Sequence, residues 1–181
     1  MAEIGTAFLN PERVVSYFDI PKGGVVADFG AGSGFYSVPL ARKVGAEGKV
    51  YAFDILPHAV DQIRSNAKML RLLQLDAVRA DLEAERGSRL KDASTDFVLV
   101  ASILHQADDK SAVLNEAARI LKPGRTMAVI EWDQSPAPGG PPMELRLTQS
   151  KVKELANTAG FIMDREFEAG SHHFGILFKK R

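Results

Sequence analysis

Asp28-Phe29-Gly30-Ala31-Gly32-Ser33-Gly34 sets three alternate glycines directly after a short apolar run, Val25 to Phe29, and before a segment, Phe35 to Val44, whose apolar residues Tyr36, Leu40, Ala41 and Val44 recur at helical spacing. Glycine reaches backbone conformations closed to other residues and carries no Cβ, so a strand can turn sharply into a helix here with its main chain open to close approach. The rhythm continues: Lys49 to Phe53 reads as a second strand, and Pro57 to Leu73 as a helix with Val60, Ile63, Ala67 and Leu70 on one face. Ala77 to Ala80 reads as a third strand and Asp96 to Ala101 as a buried fourth. Lys110 to Leu121 follows as a helix closed by Lys122-Pro123-Gly124, and Thr126 to Trp132 as a fifth strand. Strands alternating with helices pair in parallel through right-handed crossovers, which predicts an α/β, doubly wound, Rossmann-like sheet.

After Trp132 the alternation breaks. Ser135 to Pro142 has the proline and glycine of a surface loop, and Thr148 to Ala159 is helical up to Gly160. Phe161 to Glu168 and His172 to Lys179 flank Gly170-Ser171 at hairpin spacing, so the sheet should have seven strands, mostly parallel, with the last one antiparallel.

A length of 181 residues with 45% hydrophobic content suits one domain with a full-sized core. Within it, residues 1–24 read as an amino-terminal helix or lid, starting at Asn10-Pro11, and residues 25–181 as the ligand-binding domain. The 23 basic and 23 acidic residues balance, so no overall field draws the chain to nucleic acid, and a small or neutral partner molecule fits better than a polyanion. The absence of cysteine removes disulfides, thiolate metal sites and thiol nucleophiles, and fits a reducing, cytoplasmic setting. Neither a basic, apolar leader nor an apolar run of about 20 residues is present, so no membrane insertion is expected. The expected assembly is a monomer or homodimer.

In an open parallel sheet a glycine turn like this one borders the crevice where strand order reverses, which is where ligands bind. Asp54, ending the second strand, adds a carboxylate that can accept from ribose hydroxyls; its alternative is to cap the helix that begins at Pro57. Turn and carboxylate together describe a nucleoside site. The dinucleotide fingerprint would need glycine where Phe35 stands, and Asp28 would repel a pyrophosphate while suiting a ligand with an α-amino group and a sulfonium. NAD and a nicotinamide oxidoreductase are therefore disfavoured.

With these residues in view, the chain resembles the class I S-adenosylmethionine-dependent methyltransferases, particularly the small bacterial domains similar to the menaquinone and ubiquinone C-methyltransferases. Val26 to Gly34 looks like that family's first motif, whose loop passes beneath the methionine part of S-adenosylmethionine. The resemblance assigns Asp28, Gly30, Ala31, Gly32 and Gly34 to the cofactor, with Asp54 and Ile55 on the ribose side. Ala80-Asp81-Leu82 looks like the adenine-contacting segment, Asp81 accepting from the exocyclic amine. Asp96 to Ala101 is similar to the family's fourth strand, with Ala101 at its cofactor end. Leu121 to Arg125 looks like the turn before the fifth.

A sulfonium methyl group is already activated, so alignment of an O, N or C nucleophile of a small-molecule acceptor and exclusion of water do most of the work. Where a base helps, His105, just after the fourth strand, is the candidate catalytic residue; the alternative is that it packs over the cofactor or caps the next helix. Trp132, His172 and His173 are candidates for the substrate pocket, with core or edge-strand packing as their alternative, and Glu131 beside Trp132 could hold an amine. Spacing gives no ligand pair, so no metal is expected. The same fold could also serve as a non-catalytic S-adenosylmethionine-binding module docked to a partner protein. The lack of cysteine argues against chemistry like that of arsenite methyltransferases, which hold arsenic by thiols.

Overall fold

The computed structural model describes residues 10–137 and 139–181. The start of the expected lid, residues 1–9, lies outside the described residues, as does Pro138 of the expected loop. Helix α1 (Pro11–Ser16) begins as the Asn10-Pro11 pair dictates, with the Asn10 side chain accepting from Arg13 N. There follow β1 (Val25–Phe29), α2 (Ser37–Val44), β2 (Lys49–Asp54), α3 (Pro57–Met69), β3 (Leu75–Arg79), β4 (Thr95–Ala101), α4 (Lys110–Ile120), β5 (Leu121–Trp132), α5 (Gln149–Thr158), β6 (Phe161–Glu168) and β7 (His173–Lys180), with a 3-10 turn at Met143–Leu145. The seven strands form one sheet in the order β3-β2-β1-β4-β5-β7-β6. β1 to β5 pair in parallel, and β7 lies antiparallel between β5 and β6. Strand order reverses between β1 and β4, so the crevice predicted from the glycine turn opens beside Gly30.

Side-chain parity gives each sheet face its own core. Val26, Phe97, Leu99, Ala128, Ile130 and Leu177 point to the side covered by α1, α2 and α3. Ala27, Phe29, Val98, Val100, Val129 and Ile176 point to the side covered by α4 and α5. Every residue of β4 is buried, as a central parallel strand covered on both faces must be. Among the described residues no helix is long and apolar enough to cross a membrane.

Three boundaries differ from the sequence pattern for local reasons. Helix α3 ends at Met69 and not at Leu73, because Arg71 adopts a left-handed φ of 54° that no helix continues through, and Leu73 is left 92% exposed. Helix α2 starts at Ser37, since Phe35 and Tyr36 still belong to the turn. Leu121 already pairs with Thr95, and the Lys122-Pro123-Gly124 segment bulges from the ladder before pairing resumes at Thr126.

Candidate functional site

The carboxyl ends of β1, β2, β3 and β4 surround a cavity of about 400 Å³, within the range of small-molecule sites. Its walls are Gly30 and Gly32, the residues 54–56 and 80–83 that follow β2 and β3, and the β4–α4 connection through Ser102, Ile103, Gln106 and Ala107. The three glycines of the turn are required for three different reasons, although all have positive φ. A Cβ on Gly30 would stand 2.9 Å from Ile103 Cβ, and one on Gly34 would stand 3.2 Å from Ile63 Cγ1, so these two allow close packing against a loop and against α3. A Cβ on Gly32 would meet nothing within 4 Å, because that main chain faces the cavity. Gly32→Ala should therefore cost only about 1–2 kcal/mol of left-handed strain while filling ligand space, whereas Gly30→Ala adds a core clash. In thermal melts with and without ligand, the Gly32 variant should keep most of its melting temperature and lose its ligand-induced shift, and the Gly30 variant should lose melting temperature outright.

Asp54 joins the two loops that frame the cavity. Its Oδ2 accepts from Gly32 N at 2.8 Å and its Oδ1 from Leu56 N at 2.9 Å. The helix cap proper is Leu56, which has no side-chain cap bond, so Asp54 stands before α3 as a clasp between turns. Each carboxylate oxygen carries two lone pairs, and one bond to each leaves acceptor capacity for a pair of hydroxyls.

Asp28 lies beneath the turn, 1% exposed, with Oδ2 accepting from Ser37 Oγ at 2.6 Å. Burial pushes its carboxyl up to about 7; the Ser37 bond opposes this, and the charge of Asp54 adds to it. Between roughly pH 4 and 7 the folded chain keeps a proton on Asp28 that the unfolded chain has released, so this residue's contribution to stability falls as pH rises through that window. Asp28→Asn should remove the trend. Denaturation of the ligand-free protein from pH 5 to 8 should show the variant gaining on the parent by up to about 1.4 kcal/mol per pH unit.

The other sequence candidates fall into distinct places. Ile55 is exposed on the cavity rim and Leu82 is buried in its wall, while Asp81 is exposed, lines the cavity and accepts from Glu83 N at 3.0 Å. Ala31 and Ala101 are buried behind the lining, and the Ala31 amide donates to Phe53 O. His105 is 8% exposed, and its Nδ1 is 2.9 Å from Oε2 of Glu131, which is fully buried and also accepts from Leu104 N at 2.7 Å. Its neighbours Ile103 and Gln106, not the imidazole, line the cavity.

Trp132 and His173 form a cross-strand pair with ring centroids 4.1 Å apart. By the pleat they share the sheet face of Ile130 and Asp28, whereas Glu131 points to the opposite face with its partner Phe174. The Arg146 guanidinium lies 5.4 Å from the Trp132 ring centroid and donates to the carbonyls of Asp133, Ser135 and Pro141, folding the Pro/Gly loop over the indole. His172, at φ 64° in the hairpin turn, has Nδ1 within 2.9 Å of Ser135 Oγ. His173 Nδ1 is 3.0 Å from Ser171 O, and burial lowers its pKa.

Sequence reasoning placed the β4–α4 connection at the crevice but chose His105 in it and overlooked Ser102, Ile103, Gln106 and Ala107, which line the cavity. The one local sign of this wall is Ser102, a residue other than glycine held at φ 53° directly after β4, and that strain becomes visible only in the fold. The buried hydroxyl of Tyr36, which has no hydrogen-bond partner among the described residues, was likewise overlooked.

Residues 20–174 match the family model described as a methyltransferase domain. A SAM-dependent methyltransferase from Aquifex aeolicus has a crystal structure with a TM-score of 0.85 and 29% identity, the match covering 94% of this chain and 89% of that one. Demethylmenaquinone methyltransferase of Listeria welshimeri is 29% identical over 66% of this chain and 50% of its own length. Arsenite methyltransferase of Halobacterium salinarum is 26% identical over 74% of this chain and 33% of its own length. The chain thus spans between a third and a half of these two curated relatives.

Proposed function

Because the chain belongs to the methyltransferase-domain family, we propose that it transfers a methyl group from S-adenosylmethionine to a small-molecule acceptor. The observation that carries this reading is the Asp54 clasp, a carboxylate bound to the glycine turn at the mouth of a nucleoside-sized cavity. The residues fit the cofactor. Gly32 leaves open space where any side chain would intrude, Asp54 keeps acceptor capacity for ribose hydroxyls, and Leu82 and Ala107 offer apolar walls to a purine. Asp28 and the Tyr36 hydroxyl, which has no partner among the described residues, add polar groups buried beneath the glycine turn that suit an ammonium group. When bound, S-adenosylmethionine supplies an electrophilic methyl group on a sulfonium.

The chain's own residues hold and shield. Gly30 lets Ile103 close down on the turn, and the Ile103 side chain lines the cavity and limits water there. Trp132 and His173 receive the acceptor on the sheet face shared with Asp28, with His172 beside them in the hairpin turn. His105 is the candidate proton acceptor: Glu131 holds its Nδ1, which leaves Nε2 as the free nitrogen. Because Ile103 and Gln106 rather than the imidazole line the cavity, the role requires a proton path through the β4–α4 connection. The 181 residues contain no cysteine, which counts against an acceptor held by thiolates of this chain, as arsenic would be, and favours an organic O, N or C nucleophile.

Calorimetric titration of the purified chain with S-adenosylmethionine, S-adenosylhomocysteine and NAD tests the cofactor. Micromolar binding of the first two and none of NAD is expected; binding of NAD alone would overturn the reading. Transfer of a labelled methyl group to candidate hydroxyl, amine and activated-carbon acceptors then tests the activity.

A further inference from the structure

Tyr36 is the N-cap residue of α2, yet its side chain makes no cap bond. The residue is 8% exposed, and its hydroxyl is buried without a partner, unlike the other buried side-chain polar atoms of the described residues. Leaving a buried hydroxyl unpaired is costly, and native folds rarely do so without a reason such as a ligand or a bound water. A phenylalanine would fill the same space at no such cost. The hydroxyl is in electrostatic contact with Asp28, whose charge raises the phenol pKa further above the value set by burial. Asp28 accepts from Ser37 Oγ at 2.6 Å and Tyr36 immediately precedes Ser37, so a buried carboxyl group and an unpaired oxygen converge under the glycine turn. Phe35 packs edge-on against the Tyr36 ring, with centroids 5.1 Å apart, and is itself 47% exposed.

A carboxylate beside an unpaired phenol oxygen matches a small cation with N–H donors. The carboxylate neutralises the charge, and the phenol oxygen accepts one of its hydrogen bonds. We infer that Tyr36 selects the cofactor by its amino-acid end: its hydroxyl accepts from the α-ammonium group that Asp28 neutralises, so nucleosides that lack this group lose the contact. The inference rests on the proposed cofactor and adds to it a residue that the glycine motif does not contain. It also assigns to the hydroxyl a role that only the bound state fulfils.

The experiment compares the parent chain with Tyr36→Phe by calorimetry, using S-adenosylhomocysteine and 5′-methylthioadenosine, which shares the nucleoside and thioether but lacks the amino acid. Losing one hydrogen bond to a charged group should weaken S-adenosylhomocysteine binding about tenfold and leave methylthioadenosine binding unchanged. Without ligand, the variant should melt at the parent's temperature or above it, because an unpaired buried hydroxyl has been removed. Equal S-adenosylhomocysteine affinity in the two proteins would overturn the inference and leave the cofactor reading standing. An equal loss for both ligands would overturn it as well, by showing that Tyr36 only shapes the turn. A ligand-free variant that melts several degrees lower would do the same, because the hydroxyl would then be supporting the fold. A parent that binds neither nucleoside would overturn the cofactor reading and this inference together.

Discussion

Asp54→Ala is expected to weaken S-adenosylmethionine binding by at least about 100-fold, since hydrogen bonds to a charged group are worth about 1.5–3 kcal/mol each and two ribose hydroxyls would lose theirs. The indirect effect adds to this. Asp54 also accepts from Gly32 N and Leu56 N, so its removal frees the glycine turn from the start of α3. Two substitutions separate these contributions. Asp54→Asn keeps one oxygen for a backbone amide but turns an NH₂ toward the other donor, so it should bind almost as poorly as the alanine variant. Asp54→Glu keeps both oxygens at a longer reach and should recover part of the affinity. The measurement is calorimetric titration with S-adenosylhomocysteine, alongside circular dichroism to establish that each variant is folded. If Asp54→Ala retained affinity within a few-fold of the parent, the carboxylate would be only a clasp between loops, and the nucleoside would have to be held elsewhere.

The elements of the site that sequence made legible are those whose chemistry is local. Alternate glycines after an apolar run mean a turn wherever they occur, and an acid ending the next strand in a parallel sheet must lie beside that turn, because adjacent strands end together. Gly32 and Asp54 were readable for this reason, and the Gly32 amide and the Asp54 carboxylate are 2.8 Å apart. The strand-helix rhythm carried the sheet in the same way, down to the reversed last strand, since hairpin spacing permits nothing else. What escaped depends on contacts between distant segments. Tyr36 looks like an ordinary apolar position of α2, and only its burial next to Asp28 exposes the unpaired hydroxyl. Ile103 and Gln106 carry no motif, and they face the cavity because Ser102 turns the chain at a left-handed φ after β4. Trp132 and Glu131 looked like one candidate patch, but period two sends them to opposite faces, and Glu131 finds its partner 26 residues earlier in His105.

That last pair yields the second large effect. Glu131 is fully buried, and its two oxygens accept from Leu104 N and His105 Nδ1, so Glu131→Ala leaves two buried donors without partners beside a new cavity. Breaking a buried pair by removing one member costs about 3–5 kcal/mol, which for a chain of this size lowers the melting temperature by roughly 10 °C. Loss of that size would occur whether His105 is a base or a brace, so the alanine variant measures only the fold. Glu131→Gln distinguishes the roles. Glutamine Oε1 can still accept from Leu104 N, but its NH₂ now faces the imidazole, which meets it by moving the ring proton to Nε2 and presenting Nδ1 as acceptor. The fold is kept, and the basic nitrogen of His105 is turned from Nε2 to Nδ1. With an acceptor identified by the methyl-transfer screen, kcat should fall about 100-fold with little change in KM, and ¹⁵N chemical shifts of the imidazole should report the exchanged tautomer. If the tautomer changes and kcat does not, His105 acts only by bracing the loop that carries Ile103 and Gln106 into the cavity, and the proton of the acceptor must leave by another route.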